Sequence, residues 1–273
     1  NSAPNKASKV ISFMLQEYKS HVEERASLGI PPLPLNAEQV ASVVELLKNP
    51  PEGEASLLLD LITNRTPAGV DPAAYIKAAF LTDLAKGEAT SPLINKEDAT
   101  RLLGTMLGGY NVESLIDLLK DQEVGEIAAD GLSKTLLMFN SKHDVIELAK
   151  ENKNAQRVVD SWTNAEWFTS KPELPKVIKA IVFRVDGEIN TDDLSPAPDA
   201  PSRPDIPLHA LAMLKKTFKD PIKTIDKLEE SGLPVVFVGD VVGTGSSRKS
   251  ATNSLLWHIG DDIPFIPNKR QAG

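Results

Sequence analysis

The sequence contains no cysteine among its 273 residues. Within this chain no disulfide, no thiolate zinc site and no cysteine-ligated iron–sulfur cluster can therefore form. The sequence also lacks an apolar run long enough to cross a bilayer, and its opening NSAPNKASKV lacks the charged-then-apolar order of a signal peptide. We therefore expect a cytoplasmic protein with no membrane partner.

Basic residues are fewer than acidic ones. The sequence has 30 lysines and arginines and 38 aspartates and glutamates, so the formal net charge is −8 and the pI is about 5.2. This balance disfavours binding nucleic acid through bulk electrostatics. The 41% of hydrophobic residues supply ample material for a core, and the length allows one large domain or two ordinary ones.

Two nucleotide-binding motifs are incomplete in the glycine-rich stretch 243–249, which reads GTGSSRK. A dinucleotide fingerprint needs a third glycine where this chain has Arg248, and a P-loop frame from Gly243 meets the same arginine where its second glycine belongs. The aspartates of residues 192–205 likewise lack the spacing of a calcium loop. The sequence therefore favours neither a nucleotide site nor a calcium site.

The stretch from Val235 to Ser254 is instead typical of a strand, a glycine turn and the start of a helix. Such a turn presents unpaired backbone N–H groups and the positive end of a helix dipole, which suits an anion. Arg248 adds a fork that matches a carboxylate. The competing interpretation is a plain helix start, in which Ser246 or Ser247 caps the first N–H groups.

The first 170 residues have a helical pattern almost throughout. The apolar residues of the segment after Asn36 recur with helical spacing, and Asn36 with Gln39 resembles a capping box. Asp71 followed by Pro72 predicts another helix start. Further helices are predicted at 54–64, 96–107, 112–120, 124–139, 142–150 and 155–168. Their pairing every 40 residues or so is typical of HEAT-like arrays, which bury amphipathic helices against neighbours.

After a boundary near 170–176 the pattern changes to α/β. The run 177–185 predicts a strand that ends at Asp186-Gly187, and five prolines stiffen the loop 195–207. We expect fixed geometry in that loop, which suits a site. The remaining predicted elements are helices at 209–216, 222–231 and 247–259 and strands at 234–238 and 263–266.

Two motifs carry a resemblance to a known family. Gly-x-Gly-Ser-Ser-Arg at 243–248 resembles the signature of the swivelling domain of the aconitase superfamily, and the wider wording GDVVGTGSSRKSATN resembles the B-type bacterial aconitases. The segment 190–197, NTDDLSPA, followed by SRPD at 202–205, resembles the superfamily's T-D-x-[IL]-S segment and its following arginine. The chain is thus identified as a member of that superfamily.

The resemblance implies a fold of class α + α/β. A HEAT-like all-helical array is expected over residues 1–172, followed by a β/β/α swivelling domain over 173–273 that is truncated near its C-terminal end. It also implies reversible conversion of citrate to isocitrate through cis-aconitate. The small-subunit isomerase of the leucine pathway shares the swivelling domain, but it normally lacks a long helical half.

The resemblance assigns roles to five residues. Ser246 is expected to be the catalytic base and to contact substrate, and Asp192 to help position the leaving hydroxyl. Ser247 is expected to hydrogen-bond a substrate carboxylate, Arg248 to clamp it through two contacts, and Arg203 to hold another carboxylate. Removing a proton beside a carboxylate builds negative charge, so a positioned base and fixed cations suit this reaction.

The family carries a [4Fe-4S] cluster on three cysteines, and this chain has none. We therefore expect it to be the N-terminal piece of a longer enzyme, inactive alone, with no metal ligand of its own and with cluster-binding domains downstream. The alternative is an interaction module, because the family's helical domain is associated with dimerisation and, in the cluster-free form, with mRNA binding. His209 and His258 are expected to have capping or core roles.

Overall fold

The computed structural model describes residues 6–272, with side chains from residue 13 onward. Within it the chain forms two units. One contains the chain up to Tyr18 together with Pro34–Glu173, and the other contains Lys19–Leu33 together with the chain from Leu174 onward. No helix in the described part is long and apolar enough to cross a membrane.

The described part of the chain is helical as far as residue 169. The helices are α1 (Lys6–Ser27), α2 (Ala37–Lys48), α3 (Ala55–Asn64), α4 (Pro72–Lys86), α5 (Lys96–Gly104), α6 (Val112–Leu118), α7 (Gly125–Ser133), α8 (Ser141–Leu148), α9 (Lys153–Thr163) and α10 (Glu166–Thr169).

Local sequence determines where several of these helices begin and end. The predicted capping box of α2 is confirmed, since the Asn36 and Gln39 side chains each accept a hydrogen bond from the other residue's backbone N–H. At α4, Asp71 accepts from the N–H of Ala73 and Pro72 occupies the first helical position. Gly87 ends α4 in a left-handed conformation.

Two predicted helices are shorter than expected. The helix predicted at 124–139 ends at Ser133, and the following segment has Phe139 at φ 47° with its side chain 80% exposed. The helix predicted at 155–168 is interrupted at Asn164, because Ala165 has φ 51° and starts the separate turn α10. Apolar spacing continued across both breaks, so periodicity did not reveal them.

The second unit is organised around two parallel strands, β1 (Ile181–Asn190) and β2 (Val235–Thr244). Its core contains apolar residues of both strands and of the helices that cover one face of the pair. The buried members are Phe183, Val185, Ile189, Leu194, Met213, Leu214, Ile225, Val235 and Ala251. This helical array with a small parallel sheet agrees with the expected class α + α/β.

The other elements of this unit are short, except for two helices. They are α11 (Thr191–Leu194), a 3-10 helix (Ala197–Ser202), α12 (Ile206–Ala210), α13 (Pro221–Glu229), α14 (Arg248–Ile259), β3 (Asp261–Asp262) and β4 (Arg270–Gln271). The proline-rich loop is thus built of helical turns.

Three strand predictions are corrected. Strand β1 continues past the predicted stop at Asp186, through an irregular register in which the Gly187 N–H donates to Asp240 Oδ2 at 2.8 Å. Strand β2 likewise continues past Gly239. The strand predicted at 263–266 is absent, and β3 and β4 pair on either side of that segment. Asp186-Gly187 and Gly239-Asp240 therefore lie at an irregularity inside the paired strands, although such residues usually mark strand ends.

Helix α4 contains a buried lysine. Lys77 is 4% exposed, and its Nζ donates to the carbonyl oxygen of Thr63 at 3.3 Å. Burial lowers the pKa of Lys77 to about 8, because the ammonium loses its hydration. The unfolded chain holds the proton up to a pKa near 10.5. The charged form therefore opposes folding below pH 8, and this opposition fades as the pH rises from 8 towards 10.5.

We predict that Lys77→Met raises the free energy of unfolding of this chain by about 3 kcal/mol at neutral pH, where the buried ammonium is present. The gain should shrink as the pH approaches about 10, because neutral Lys77 no longer loses hydration. Urea unfolding at both pH values measures the difference. Lys120→Met, at an exposed lysine, is the control, and an equal effect of both variants at both pH values would contradict the prediction.

Candidate functional site

Parallel pairing brings the two sequence motifs to one edge of the sheet. Asn190, the last residue of β1, is paired with Thr244, the last residue of β2. Helix α11 starts immediately after Asn190, and the glycine turn follows Thr244. In open α/β sheets, ligands bind outside the carboxyl ends of parallel strands. The motif segments therefore lie side by side where such a fold places a site.

The glycine turn approaches α11 so closely that position 245 requires a glycine. Gly243 has φ 82° and Gly245 has φ 112°, a region that favours glycine. A Cβ on Gly245 would lie 2.4 Å from Thr191 Oγ1, whereas one on Gly243 would meet no atom within 4 Å. The turn thus packs directly against the residue that precedes Asp192.

The start of α14 contradicts a cap by Ser247, one of the two serines considered for this role. Ser247 occupies the N-cap position with φ −83° and ψ 39°, and its side chain makes no capping hydrogen bond. The first N–H groups of a 12-residue helix are therefore not capped by this hydroxyl. Ser246 is exposed beside it.

A cavity of about 360 Å³ opens at this position. It presents two cationic side chains, three hydroxyls and one amide, and these groups can donate several hydrogen bonds to a carboxylate. The lining residues are Arg203, Pro204, Ser246, Ser247, Lys249, Ser250 and Asn253. The structure therefore brings Arg203, Ser246 and Ser247, all predicted to contact substrate, to one cavity.

Arg203 reaches the cavity without an ion-pair partner in the described part of the chain. Its Nε donates to Ser195 Oγ at 3.1 Å and its Nη2 donates to the Ser195 carbonyl oxygen at 3.1 Å. Both bonds are to neutral groups, so they orient the guanidinium without neutralising it. Its positive charge is left to attract an anion.

The structure does not bring the other two predicted site residues, Arg248 and Asp192, into the lining of this cavity. Arg248, the first residue of α14, is exposed, and its Nε donates to the Gly245 carbonyl oxygen at 3.2 Å. Asp192, in α11, is also exposed, and its N–H donates to Asn190 Oδ1 at 2.8 Å. Neither side chain is in an ion pair among the described residues.

Besides Pro204, three lining residues were not predicted as site residues: Lys249, Ser250 and Asn253. They lie on the first turns of α14, on the side that faces the cavity. Helical spacing could have linked them, because Asn253 lies four residues after Lys249 and three after Ser250, and such positions share a face. The compared motif covered these residues, but roles were assigned only as far as Arg248.

His209 and His258 have structural roles in the second unit, as expected. His209 is 2% exposed, with Nε2 2.8 Å from Ser195 Oγ, and burial lowers the pKa of its imidazole. His258 Nε2 lies 2.9 Å from the carbonyl oxygen of Ala210, and burial also lowers its pKa. Burial therefore favours the neutral form of both rings.

A second contact fixes the segment that follows Arg203. The Arg25 guanidinium donates to both oxygens of Asp205, at 2.5 and 2.8 Å, and the two side chains are only 7% and 17% exposed. Arg25 Nε also donates to the carbonyl oxygen of Pro31 at 2.8 Å. This paired geometry is the strong form of an arginine–carboxylate contact.

Comparison with known proteins agrees with this arrangement. Residues 17–168 match the family model described as the aconitate B N-terminal domain, and residues 180–273 match that of the aconitate hydratase 2 N-terminus. The chain belongs to the aconitate hydratase B family. The sequence-based family assignment is thereby confirmed.

Several curated relatives have the name aconitate hydratase B. The family members from Pseudomonas aeruginosa and Escherichia coli are 60% and 59% identical to this chain in alignments of 271 residues, and each alignment covers 95% of this chain. The Helicobacter pylori protein is 52% identical over 261 residues. The chain spans only about 31% of the length of the first two relatives and 30% of the third.

The residues of this chain do not fit the iron–sulfur cluster that the family resemblance implies. The sequence has no cysteine. The described residues also contain no group of three or more histidines, aspartates or glutamates that could hold a metal ion. What this family member offers at its cavity is a set of cations and hydrogen-bond donors.

We predict that Gly245→Ala disrupts the candidate site, because its Cβ would lie 2.4 Å from Thr191 Oγ1 on a backbone at φ 112°. The melting temperature of the second unit should fall markedly more than for Gly243→Ala, which strains the backbone without a clash. Thr191→Ala should restore part of the loss in Gly245→Ala by removing that oxygen. Thermal unfolding of Gly245→Ala, Gly243→Ala and the double variant Gly245→Ala/Thr191→Ala tests this. Equal losses of melting temperature at both glycines would contradict the prediction.

We predict that Arg25→Met destabilises the second unit by about 3 kcal/mol, because it leaves a nearly buried Asp205 carboxylate without its cation. Arg184→Met should change stability little, because Arg184 and Asp186 form their ion pair in solvent, 62% and 83% exposed. Chemical unfolding followed by circular dichroism gives both values. Similar losses for the two variants would argue against a special role for Arg25.

Proposed function

We propose that this chain is the part of an aconitate hydratase that binds the carboxylates of citrate, cis-aconitate and isocitrate. The observation that carries the proposal is the cavity at the strand ends, where Arg203, which has no ion-pair partner among the described residues, lies with Ser246 and Ser247. Uncompensated positive charge beside clustered donors suits a multiply charged organic anion. The printed names of the relatives support the same activity.

The proposed architecture follows the family. It has a HEAT-like array over residues 1–172 and a swivelling domain over 173–273, and its boundary is supported by two family models that match residues 17–168 and 180–273. Lys19–Leu33 group with the second unit by their contacts. The proposal therefore assigns this short segment to the support of the swivelling domain.

The proposed chemistry begins with a proton on the carbon beside a substrate carboxylate. Ser246, as the alkoxide, takes that proton and becomes the neutral hydroxyl, and the carbon's electron pair delocalises towards the carboxylate. Arg203 and Arg248 stabilise the negative charge that develops there, and Ser247 donates a hydrogen bond. Asp192 positions the leaving hydroxyl. As the C–O bond breaks, the electron pair forms the carbon–carbon double bond of cis-aconitate, and the hydroxyl leaves as water after taking up a proton from solvent. Positive charge and uncapped N–H groups favour the alkoxide form of Ser246.

The proposed enzyme requires more than this chain. A [4Fe-4S] cluster would need ligands from downstream domains, since this chain does not provide them. Dimerisation through the helical domain, mRNA binding by the cluster-free form and a cytoplasmic location stay predictions. The net charge of −8 gives no support to a general affinity for RNA.

The test is kinetic and uses the complete enzyme. Ser246→Ala should lower kcat by roughly a thousandfold and leave KM for citrate nearly unchanged, because it removes the base and not the binding groups. Arg248→Lys should lower kcat and raise KM, because an ammonium cannot reproduce a two-pronged contact with a carboxylate. Steady-state rates with citrate and isocitrate provide both constants.

Ser231→Ala, at an exposed serine of the same unit, is the matched control and should retain the wild-type rate. Equal behaviour of Ser246→Ala and Ser231→Ala would overturn the role given to Ser246. The 273-residue chain alone should show no turnover. Measurable turnover by this chain alone would refute the claim that the complete enzyme is needed.

A further inference from the structure

Ser195 lies at the centre of a buried polar network that the proposed chemistry does not use. Its side chain is fully buried, with 0% exposure. Its Oγ is 2.8 Å from His209 Nε2, 2.7 Å from Ser250 Oγ and 3.1 Å from Arg203 Nε. One hydroxyl therefore has three polar neighbours, and two of them line the cavity.

His209 extends this network to the segment before Arg203. Its Nδ1 is 2.8 Å from Ser202 Oγ and 3.1 Å from the Asp199 carbonyl oxygen. Ser202 Oγ also donates to that carbonyl oxygen at 2.7 Å. The buried imidazole therefore connects Ser195 Oγ with Asp199 and Ser202.

Ser195 donates its single hydrogen to Ser250 Oγ and accepts a hydrogen bond from Arg203 Nε–H. Arg203 belongs to the proline-rich loop, while Ser250 is on the first turn of α14. The Ser195 hydroxyl thus joins the two segments that form the cavity.

We propose that Ser195 is a positioning residue: packed against His209 and bonded to Ser250, its hydroxyl fixes the Arg203 guanidinium relative to the start of α14. The inference rests on the proposed function, because the orientation of the Arg203 guanidinium matters only if that arginine binds a substrate carboxylate. Ser195 itself is fully buried and does not line the cavity. It acts on substrate through Arg203.

The chain offers a matched control for simple packing. Ser254 is also a buried serine of this unit, 1% exposed, and its hydroxyl has no hydrogen-bond partner among the described residues. Removing that hydroxyl deletes no hydrogen bond. Ser254→Ala therefore reproduces the loss of a buried oxygen without disturbing a network.

The experiment is a double-mutant cycle in the complete enzyme. Ser195→Ala should lower kcat/KM for citrate by roughly 10- to 100-fold, chiefly through a higher KM, because a hydrogen bond to a charged group is lost. In an Arg203→Gln background the same change should cost less than about threefold, because coupled residues are not additive. Ser254→Ala should retain the wild-type kcat/KM.

The outcomes separate the two proposals. An inactive wild-type enzyme would overturn the proposed function, whatever the variants do. An active wild type in which Ser195→Ala matches Ser254→Ala, or loses the same factor with and without Arg203, would overturn the positioning role alone. If Ser195→Ala fails to fold, Ser195→Cys keeps the volume while its sulfur is a poor acceptor, and the same cycle applies.

Discussion

The parallel pairing of β1 with β2 is the interaction on which the candidate site depends. Its register sets Asn190 beside Thr244, so two motifs far apart in the chain begin at neighbouring points. The close contact of Gly245 with Thr191 then fixes the turn against α11. A shift of one residue in the register would exchange the two faces of the strand and separate these segments.

Charge is distributed unevenly around this edge of the sheet. Arg25 is matched with Asp205 in a nearly buried pair that holds the backbone. Among the described residues, Arg203, two residues before Asp205, donates hydrogen bonds to neutral oxygens of Ser195 and has no ion-pair partner. The charge of Arg25, which supports the loop, is thus neutralised by a carboxylate. The charge of Arg203, in the cavity, can attract an anion.

The family assignment and the cavity support each other from separate observations. The sequence identity of about 60% to a protein named aconitate hydratase B extends over 95% of this chain. The cavity concerns a few side chains, and its cations and donors suit the carboxylates on which such an enzyme would act. Because this chain provides no cluster ligands, its proposed contribution is to bind and orient substrate.

By itself the sequence determined the features that depend on neighbouring residues: the Asn36 capping box, the start of α4 at Asp71 and the glycine turn, together with the family. Only the tertiary structure decided that β1 continues through Gly187, that Lys19–Leu33 join the second unit, and that Ser195 links Arg203 to α14. The physical reason is distance along the chain. Capping and periodicity act within a few residues, whereas strand register and buried hydrogen bonds join segments whose contact no local pattern records.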